Sequence, residues 1–538
     1  MPFIKAQKVI YDENGKIRSG SAAIVDTYYG DFGTYHAKHT VREKLGKVLW
    51  LSEDKRRGIF MSSTRGLVEY NADTDVFSSV DKNDDRLMGT ETFPETRIHT
   101  VFGDSYMLLK FLENEGLMKI LRDVFQTNPD YERLLCHIIH GVLKDGSKIT
   151  CDNFLMKSFA SYLFPDVPLS SLKSDTRFFT MMGDDKTKLQ FFKKFVDAMR
   201  EKLPSFGKGC YVDSTPLPND IDDNPFNALS SHGIGSCGTM ERLVLVLDEE
   251  TGLPVWYDII PGNVIDLNTT MNVVNDVASS LGVIIHSLVL DAGYVSKELI
   301  GAFHNGTEKS FIGRMPAKKG FPFKELYHDV KNLIGKGKYS FVRNNHVYFG
   351  HKKEIELFGQ KLYAYIYVDH PNALKGFKDY IAKHDDEFEN MPNKDKDWIM
   401  VKGGFFILLS NIDSTPEDIL TRYFGRTNIE TVFKTSKEYL DLLPLSKWTD
   451  ETVRGKILSD IINTIVLLLL RKKMRGSELS ASELYGKSQS LMCFRNNKGM
   501  VTVETPCKQV KEYYKLLGLE VPAHVNVESF KKKNLLLK

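Results

Sequence analysis

The segment from Gly209 to Tyr294 constrains the fold of this chain more than any other part of the sequence. It contains an apolar run, CYVDSTPL, then two apolar runs joined by a turn at Glu249 to Gly252, then a helical stretch from about Thr269 to Leu281, and a last apolar run, VIIHSLVLDAGY. A strand, a hairpin, a helix and a strand in this order are typical of a mixed sheet with helices on its faces. We therefore predict an α/β fold for the centre of the chain.

The composition is that of a folded protein with several domains. Its 538 residues correspond to roughly two to four domains, at about 150 residues per domain. Hydrophobic residues make up 42% and charged residues 26%, which excludes a chain that is disordered throughout. Lys and Arg number 72 against 70 for Asp and Glu, so any affinity for nucleic acid must come from local patches.

The sequence carries no marks of export, of a disulfide framework or of a membrane span. The six cysteines include no C-x-x-C pair, which predicts a reducing compartment and no structural zinc. The N-terminal MPFIKAQKVIYDENGK lacks the apolar core of a secretory signal. The most apolar stretch, Ile457 to Leu470, is too short and too polar to span a bilayer and is predicted to be a buried helix. We expect a cytoplasmic protein with no membrane association.

The flanking regions differ in character from the centre. Short β-branched and aromatic runs from Phe3 to about Asn71 predict a small sheet, and apolar residues at helical spacing from about Ser105 to Leu203 predict a helical region. Residues 311–401 alternate like a β-meander, with turns at Asn344-Asn345 and Phe358-Gly359-Gln360, and interrupt the mixed sheet before it resumes at GGFFILLSN. The predicted domains are a small β-containing module (1–100), a helical region (101–205), the first half of the core (206–310), a β-rich insertion (311–401), the second half of the core (402–475) and a C-terminal region (476–538).

Two aspartates follow apolar strand runs in the predicted core. Asp213 comes after the apolar part of YVDST, and Asp291 ends SLVLDAGY. Neighbouring strands would bring both carboxylates together, and such a pair joined by a third carboxylate is what holding two divalent metals requires. Asp is also a common turn residue, so either aspartate alone favours that simpler interpretation.

A third carboxylate lies in a helical pattern with three other polar residues. Tyr423, Arg426, Glu430 and Lys437 follow one another at spacings of three, four and seven, which predicts one helix face. An ordinary solvated face would have the same appearance. Arg426, one turn from Glu430, is also well placed to hold a phosphate beside a metal-bound carboxylate.

Together these residues resemble the DDE transposases of bacterial insertion sequences. The group in question has the pattern Y-x2-R-x3-E-x6-K and a β-strand insertion between its second Asp and its Glu, and the spacing here fits it residue for residue. Asp213 and Asp291 are 78 residues apart, and Asp291 and Glu430 are 139 apart. The contexts PGNVID, DAGY and KWTDETVRGKI are also similar to the family, and the similarity covers about Gly209 to Arg475.

The resemblance implies a ribonuclease H-like fold in which Asp213, Asp291 and Glu430 bind two Mg2+ or Mn2+ ions. One ion would activate water and later a DNA 3′-hydroxyl, and the other would stabilise the leaving oxygen. By the same likeness Tyr423, Arg426 and Lys437 would grip phosphates around the cleaved end. The implied protein is a cut-and-paste transposase that acts as a homodimer or higher oligomer on transposon terminal inverted repeats and target DNA. The helical region would then bind the DNA end, and the C-terminal region would serve oligomerisation.

The predicted insertion gives separate support for DNA contact. Between Arg314 and Lys353 there are ten Lys or Arg and two acids, interleaved with aromatic residues, a composition that suits phosphate tracking and base stacking. Most of these aromatics are equally expected on the inner face of the meander. Trp398 is a candidate to stack on an extruded base, as in related enzymes, although a core tryptophan is the simpler interpretation.

Other polar residues leave alternatives open. Ser214 and Thr215 are either donors behind the metal ligands or turn residues. His137 and His140 lie near Cys136 without a further ligand, so packed helix-borne histidines are favoured over a metal site. Lys531–Lys533 and Lys538 could touch DNA, but a solvated terminus is expected.

Two rival functions remain, a catalytically silent DNA-end-binding protein or inhibitor, and a metal-dependent nuclease or resolvase of the same fold.

Overall fold

A computed structural model describes most of the chain, which divides into two compact units, Met1–Ile98 and His99–Lys538. The described residues are 2–11, 17–29, 37–62, 64–81, 84, 86–87, 100–125, 127–143, 151–165, 167, 176–219, 224, 226–229, 239–264, 266–304, 308–439, 442–443, 445, 447–495 and 500–535.

The first unit is an antiparallel meander of six strands in chain order. The strands are β1 (Pro2–Tyr11), β2 (Ile17–Tyr29), β3 (Ala37–Leu51), β4 (Arg57–Ser62), β5 (Gly66–Asn71) and β6 (Val76–Ser79). Alternate residues such as Ile24, Leu45 and Phe60 form a small core on one face. Gly46 has φ +85°, and a Cβ there would meet the Met61 carbonyl oxygen at 2.2 Å, so the register shift of β2 against β3 needs glycine.

The second unit begins with a helical region. Its elements are β7 (Thr100–Val101), α1 (Ser105–Asn114), α2 (Leu117–Val124), α3 (Asn128–Leu143), α4 (Cys151–Met156), α5 (Ala160–Leu163), α6 (Thr176–Met182) and α7 (Asp185–Lys202). Apolar residues at spacings of three and four, including Phe191, Phe192 and Phe195 of α7, are buried in one continuous core shared with the sheet that follows.

The central sheet has ten strands and carries the elements that position the candidate site. Its strands and helices are β8 (Gly209–Pro218), β9 (Ala228–Leu229), β10 (Thr239–Asp248), β11 (Pro254–Pro261), α8 (Asp266–Leu281), β12 (Ser287–Leu290), α9 (Lys297–Ala302), β13 (Ser310–Arg314), α10 (Phe323–Val330), β14 (Ser340–Arg343), β15 (His346–Leu357), β16 (Gln360–Asp369), α11 (His370–Glu389), α12 (Asn393–Lys402) and β17 (Phe405–Ser410). The order is β11-β10-β8-β12-β13-β17-β16-β15-β14, with β9 on β10. β12 is parallel to both β8 and β13, and the other pairs are antiparallel, so the predicted mixed α/β sheet is present.

The turns of this sheet follow local sequence chemistry. Gly252, with φ +70°, lies in the turn between β10 and β11. Asn344 and Asn345 both have positive φ and join β14 to β15 as a two-residue hairpin turn, and Phe358 and Gly359 do the same between β15 and β16. All three turns lie where the sequence predicts them.

The strands of the predicted insertion do not form a separate sheet. β17 pairs with β13 of the core on one side and with β16 on the other, so β14, β15 and β16 continue the central sheet. The alternating pattern of each strand predicted the strands themselves. The pairing of β17 with β13 joins residues about a hundred positions apart, which periodicity does not reveal.

The chain ends in helices and a second small sheet. These elements are α13 (Pro416–Gly425), α14 (Thr427–Lys434), a π-helix (Thr435–Tyr439), α15 (Asp450–Lys473), α16 (Ala481–Ser488), β18 (Met492–Arg495), β19 (Met500–Val503), α17 (Lys508–Leu516), β20 (His524–Asn526) and α18 (Val527–Asn534). β18 pairs with β7, which joins the start of this unit to its end.

The long helix α15 passes through the core of the second unit. Thr449 caps its first turn, and the stretch from Ile457 to Leu467 is buried throughout, as predicted for this apolar run. Within the described ranges, none of the helices combines the length and the hydropathy that a membrane span requires.

Candidate active site

Two neighbouring parallel strands bring Asp213 and Asp291 together. Leu290, the last residue of β12, is in register with Val212 of β8, so the aspartate that follows each lies at the same level. Asp291 follows the end of its strand as predicted. Asp213 does not, because β8 continues to Pro218 in pairing with β10, and Asp213 is opposite Leu245 in mid-strand.

The polar series from Tyr423 to Lys437 reaches the same place through a broken helix. α13 ends at Gly425, where a Cβ would meet the Tyr211 hydroxyl at 2.0 Å, so glycine is needed at this crossing. Arg426 N donates to the Tyr423 carbonyl, and Ile429 N donates to the Arg426 carbonyl, which tightens the chain between α13 and α14. Lys437 lies in the π-helix. The single regular helix predicted from the spacing is therefore wrong, although its polar residues still face one region.

Arg426 is the centre of this region. Its guanidinium donates to Asp213 Oδ2 at 2.6 Å, and its Nη2 lies 3.7 Å from both Asp291 Oδ2 and Glu430 Oε1. Three carboxylates from three different elements therefore share one cation. The Arg426 side chain is only 11% exposed, whereas that of Glu430 is 62% exposed, so the group opens to solvent on the Glu430 side.

Two tyrosine hydroxyls also lie against the aspartates. The Tyr423 hydroxyl donates to Asp291 Oδ1 at 3.1 Å, and the Tyr294 hydroxyl lies 3.5 Å from Asp213 Oδ1. Burial, together with the Asp291 carboxylate, raises the pKa of Tyr423 to about 12, so this phenol stays protonated and remains a donor.

Asp213 is the most perturbed acid of the group. Burial raises its pKa to about 6, the Arg426 guanidinium opposes that rise, and the negative charges of Asp291 and Glu430 add to it. A carboxyl in this state gains from any further cation brought to the site.

Lys437, in the π-helix, contacts β8 just beyond Asp213. Its Nζ donates to Thr215 Oγ1 at 2.7 Å and to the Pro216 carbonyl at 2.6 Å. Burial and the nearby Arg242 charge lower the pKa of Lys437. Arg242 itself donates to Ser214 Oγ. Ser214 and Thr215 are therefore strand residues that bind basic side chains, which excludes the turn interpretation.

The donor chemistry of the site suits divalent metal ions. All three acids offer carboxylate oxygens, the ligands that Mg2+ and Mn2+ prefer. In the described part of the chain, however, no three His, Cys, Asp or Glu side chains lie close enough together to hold a metal ion directly. Here the Arg426 guanidinium takes the shared position between the acids.

The remaining predicted residues lie elsewhere. Trp398 of α12 packs against Tyr327 and Phe405, with ring centroids 4.7 and 5.4 Å away, so packing accounts for its position and its stacking on DNA stays a prediction. His137 and His140 are buried on α3, and His137 stacks on Phe178 at 4.7 Å. This agrees with packed histidines. Lys538 lies outside the described residues.

Two residues of the site were missed by reasoning from the sequence. Tyr294 was noted only as part of the DAGY context, yet its hydroxyl faces Asp213. Arg242 lies in the apolar run MERLVLVLD, is 8% exposed and is bonded to Ser214. A buried arginine within an apolar strand was the signal available for it.

Comparison with known proteins agrees with this geometry. Residues 205–462 match the family model of the transposase DDE domain, and this range encloses Asp213, Asp291 and Glu430. No curated protein matches the chain significantly. Among solved structures, the chain is similar to a piggyBac transposase synaptic complex with hairpin DNA, at 11% identity and a TM-score of 0.37, with 72% of this chain and 79% of that chain covered. The assignment rests on the family match: residues 205–462, just under half of the chain, are a transposase DDE domain.

Proposed function

We propose that the chain hydrolyses phosphodiester bonds at transposon ends in a metal-dependent reaction and transfers the cut ends into target DNA. The observation that carries the proposal is the convergence of Asp213, Asp291 and Glu430 on the Arg426 guanidinium. Three acids from separate elements are brought together at a substantial cost in burial and repulsion, which a structural role alone does not require.

The sheet supports a ribonuclease H-like assignment for the core. β11, β10 and β8 form an antiparallel set, and β12 and β13 continue it in parallel, which gives a mixed five-stranded sheet with helices such as α8 and α13 in contact with it. Asp213 lies on β8, and Asp291 directly follows the neighbouring strand β12. The resemblance to DDE transposases implies a fold of this class.

Asp213, Asp291 and Glu430 would hold two Mg2+ or Mn2+ ions. When bound, such ions supply an activated oxygen nucleophile and neutralise the leaving oxygen of an in-line displacement. Tyr423 and Tyr294 orient the two aspartates, and Arg426 holds the acids close together. Its planar pair of N–H groups would also suit a phosphate of the bound DNA.

Lys437 would contact the DNA strand that is cut at the site, as a point charge. Its Nζ is bonded to Thr215 and Pro216, two and three residues beyond Asp213 along β8, and the neighbouring Arg242 adds positive charge. A phosphate next to the scissile one would lie near both Lys437 and Arg242. Trp398 remains a proposed stacking residue for a displaced base.

The partners proposed are the terminal inverted repeats, target DNA and further copies of this chain in a homodimer or larger assembly. The test is incubation of purified protein with a labelled element end, a target plasmid and Mg2+, followed by mapping of the products. Joined end-to-target molecules with cuts at the element boundary support the proposal. Cuts without joining indicate a nuclease, and binding without cuts indicates an end-binding protein, so either result contradicts it.

A further inference from the structure

The C-terminal end of α15 carries a dense group of positive charges that the DDE site does not use. Arg471, Lys472, Lys473 and Arg475 are all exposed. Basic residues in the last turn of a helix are often explained by the helix dipole, which they stabilise by roughly 0.3–1 kcal/mol each. The helix dipole would act on all four side chains alike, whereas the structure separates Arg471 and Arg475 from Lys472 and Lys473.

Arg471 and Arg475 both line a cavity of about 260 Å³, and Lys472 and Lys473 do not. Arg471 lies in the last turn of α15, and Arg475 lies two residues past the end of that helix. The other polar lining comes from three hydroxyls, those of Ser477, Ser480 and Ser482. The Ser480 hydroxyl is engaged at the start of α16, where it donates to Glu483, so two arginines and the hydroxyls of Ser477 and Ser482 remain as donors that suit an anion such as a phosphate.

The local acids do not neutralise this pair. Glu483 is engaged at the start of α16, where its carboxylate accepts from Ser480 N and Ser480 Oγ. In the described part of the chain, the Arg475 side chain makes no ion pair or hydrogen bond, and that of Arg471 makes a single hydrogen bond, to Thr435 Oγ1 at 2.7 Å. The cavity therefore has unmet capacity for an anion.

The bond from Arg471 to Thr435 fixes where this cavity lies relative to the carboxylates. Thr435 is the first residue of the π-helix and follows Glu430 by five positions, or about 7 Å along a helix axis. A DNA strand carries one phosphate for roughly every 3.4 Å of duplex axis. A strand whose scissile phosphate lies at Glu430 would thus bring one of its next few phosphates to the Arg471 side of α15.

We propose that Arg471 and Arg475, with the hydroxyls of Ser477 and Ser482, bind a backbone phosphate of the DNA strand that is cut at the DDE site. The inference rests on the proposed function, since it takes the same DNA as ligand. It adds a contact beyond the Tyr423 to Lys437 series.

The test compares two double variants of the full chain that remove the same charge from the same helix end. Arg471→Gln with Arg475→Gln should weaken binding of a labelled element end about tenfold, and should lower the slope of log K against log salt by roughly 0.9 for the one phosphate that is no longer bound. Lys472→Gln with Lys473→Gln is the matched control and should change both quantities much less. Thermal unfolding of both variants checks that each is folded, and Arg475→Gln alone, which keeps the Arg471 bond to Thr435, should show the same direction of change.

A second arm locates the phosphate and separates DNA from free phosphate as its source. Single methylphosphonates placed along the end remove one charge at a time, and a neutral linkage near the cut site should weaken binding by the wild-type chain but not by the arginine double variant. Inorganic phosphate at millimolar concentration should not reproduce the stabilisation given by the end.

The outcomes separate the two proposals. If the wild-type chain binds and cuts ends but the two double variants behave alike, the cavity is a solvated helix end and this inference is overturned while the proposed function stands. If the wild-type chain neither binds nor cuts ends, both fall. Stabilisation by inorganic phosphate alone overturns the inference about Arg471 and Arg475, because the cavity would then bind a free anion.

Discussion

The carboxylate site and the basic stretch from Arg314 to Lys353 are both rich in charge, but they use it differently. In the site, Asp213 and Arg426 are largely buried and bonded to one another. In the basic stretch, Lys318, Lys319 and others are exposed, and Lys353 is paired with Asp329 at the surface. Charges removed from water depend on their partners, whereas exposed charges act almost independently. Single substitutions should therefore have large effects in the first region and small, additive effects in the second.

The largest expected effect is on cleavage. Asp213→Asn, Asp291→Asn or Glu430→Gln should each reduce end cleavage and strand transfer by on the order of 10³-fold or more, because each removes a charge from the shared metal ligands. End binding, measured by gel shift, should persist. Asp329→Asn in the basic stretch is the matched control and should cut normally. Near-normal cleavage by any of the first three would remove that residue from the site.

Arg426 should come next. Arg426→Ala should lower cleavage by about 10²-fold, because the guanidinium fork positions phosphate, and should lower the free energy of unfolding by about 1–3 kcal/mol, because Asp213 is left without its cation. Arg426→Lys keeps a charge and should alter end binding only slightly. Wild-type cleavage by Arg426→Ala would show that the residues from Tyr423 to Lys437 form an ordinary helix face.

Glu241 tests what a buried carboxylate does without a guanidinium. It is 0% exposed, accepts from Asn219 Nδ2 at 3.1 Å, and burial, with the Asp450 charge, raises its pKa to about 7 from an ordinary 4.5. Because the pKa of Glu241 is higher in the folded protein than in the unfolded one, its contribution to the free energy of unfolding is complete below about pH 4.5. That contribution is lost as the pH rises towards 7. Glu241→Gln should therefore gain about 1–3 kcal/mol over the wild type between pH 5 and pH 8 in denaturant unfolding. Parallel stability curves for the two proteins would contradict the burial of a titrating carboxyl here.

The smallest effect is expected in the basic stretch. Replacing Lys318, Lys319, Lys336 and Lys338 by Gln should weaken DNA binding at all sequences by about tenfold or less, and should lower the salt slope by roughly 0.9 for each phosphate that these lysines bind in the wild type. Folding should change little, since exposed lysines contribute little stability. The matched control replaces four exposed lysines of α11 and α12 that are interleaved with acids, Lys375, Lys378, Lys383 and Lys402. If the two quadruple variants bind alike, the basic excess is a solvated surface.

Local patterns in the sequence predicted the elements and much of the site. The turn at Glu249 to Gly252, the Asn344-Asn345 hairpin and the buried α15 each depend on residues close together in the chain. Asp213 and Asp291 were expected to meet because they follow apolar strand runs, and the parallel register of β8 and β12 puts them at one level.

Features set by distant contacts could not be predicted in this way. The break after α13 lies where Gly425 approaches the Tyr211 hydroxyl, more than two hundred residues earlier in the chain. Arg426 was expected to hold a phosphate, but without DNA it pairs with the three acids that surround it. Spacing identifies which residues lie on a face, and it does not identify which of several possible partners each one takes.

The continuity of the ten-stranded sheet has a mechanical consequence. β14 and β15, at its far edge, are connected to β13 through backbone hydrogen bonds across β16 and β17, and β13 lies beside the strand that ends at Asp291. Such a ladder is stiff in its own plane and yields mainly by twisting. A load applied to the edge strands must therefore either shear the short pairing of Ile312–Arg314 with Leu408–Ser410 or tilt the strand that carries the second aspartate.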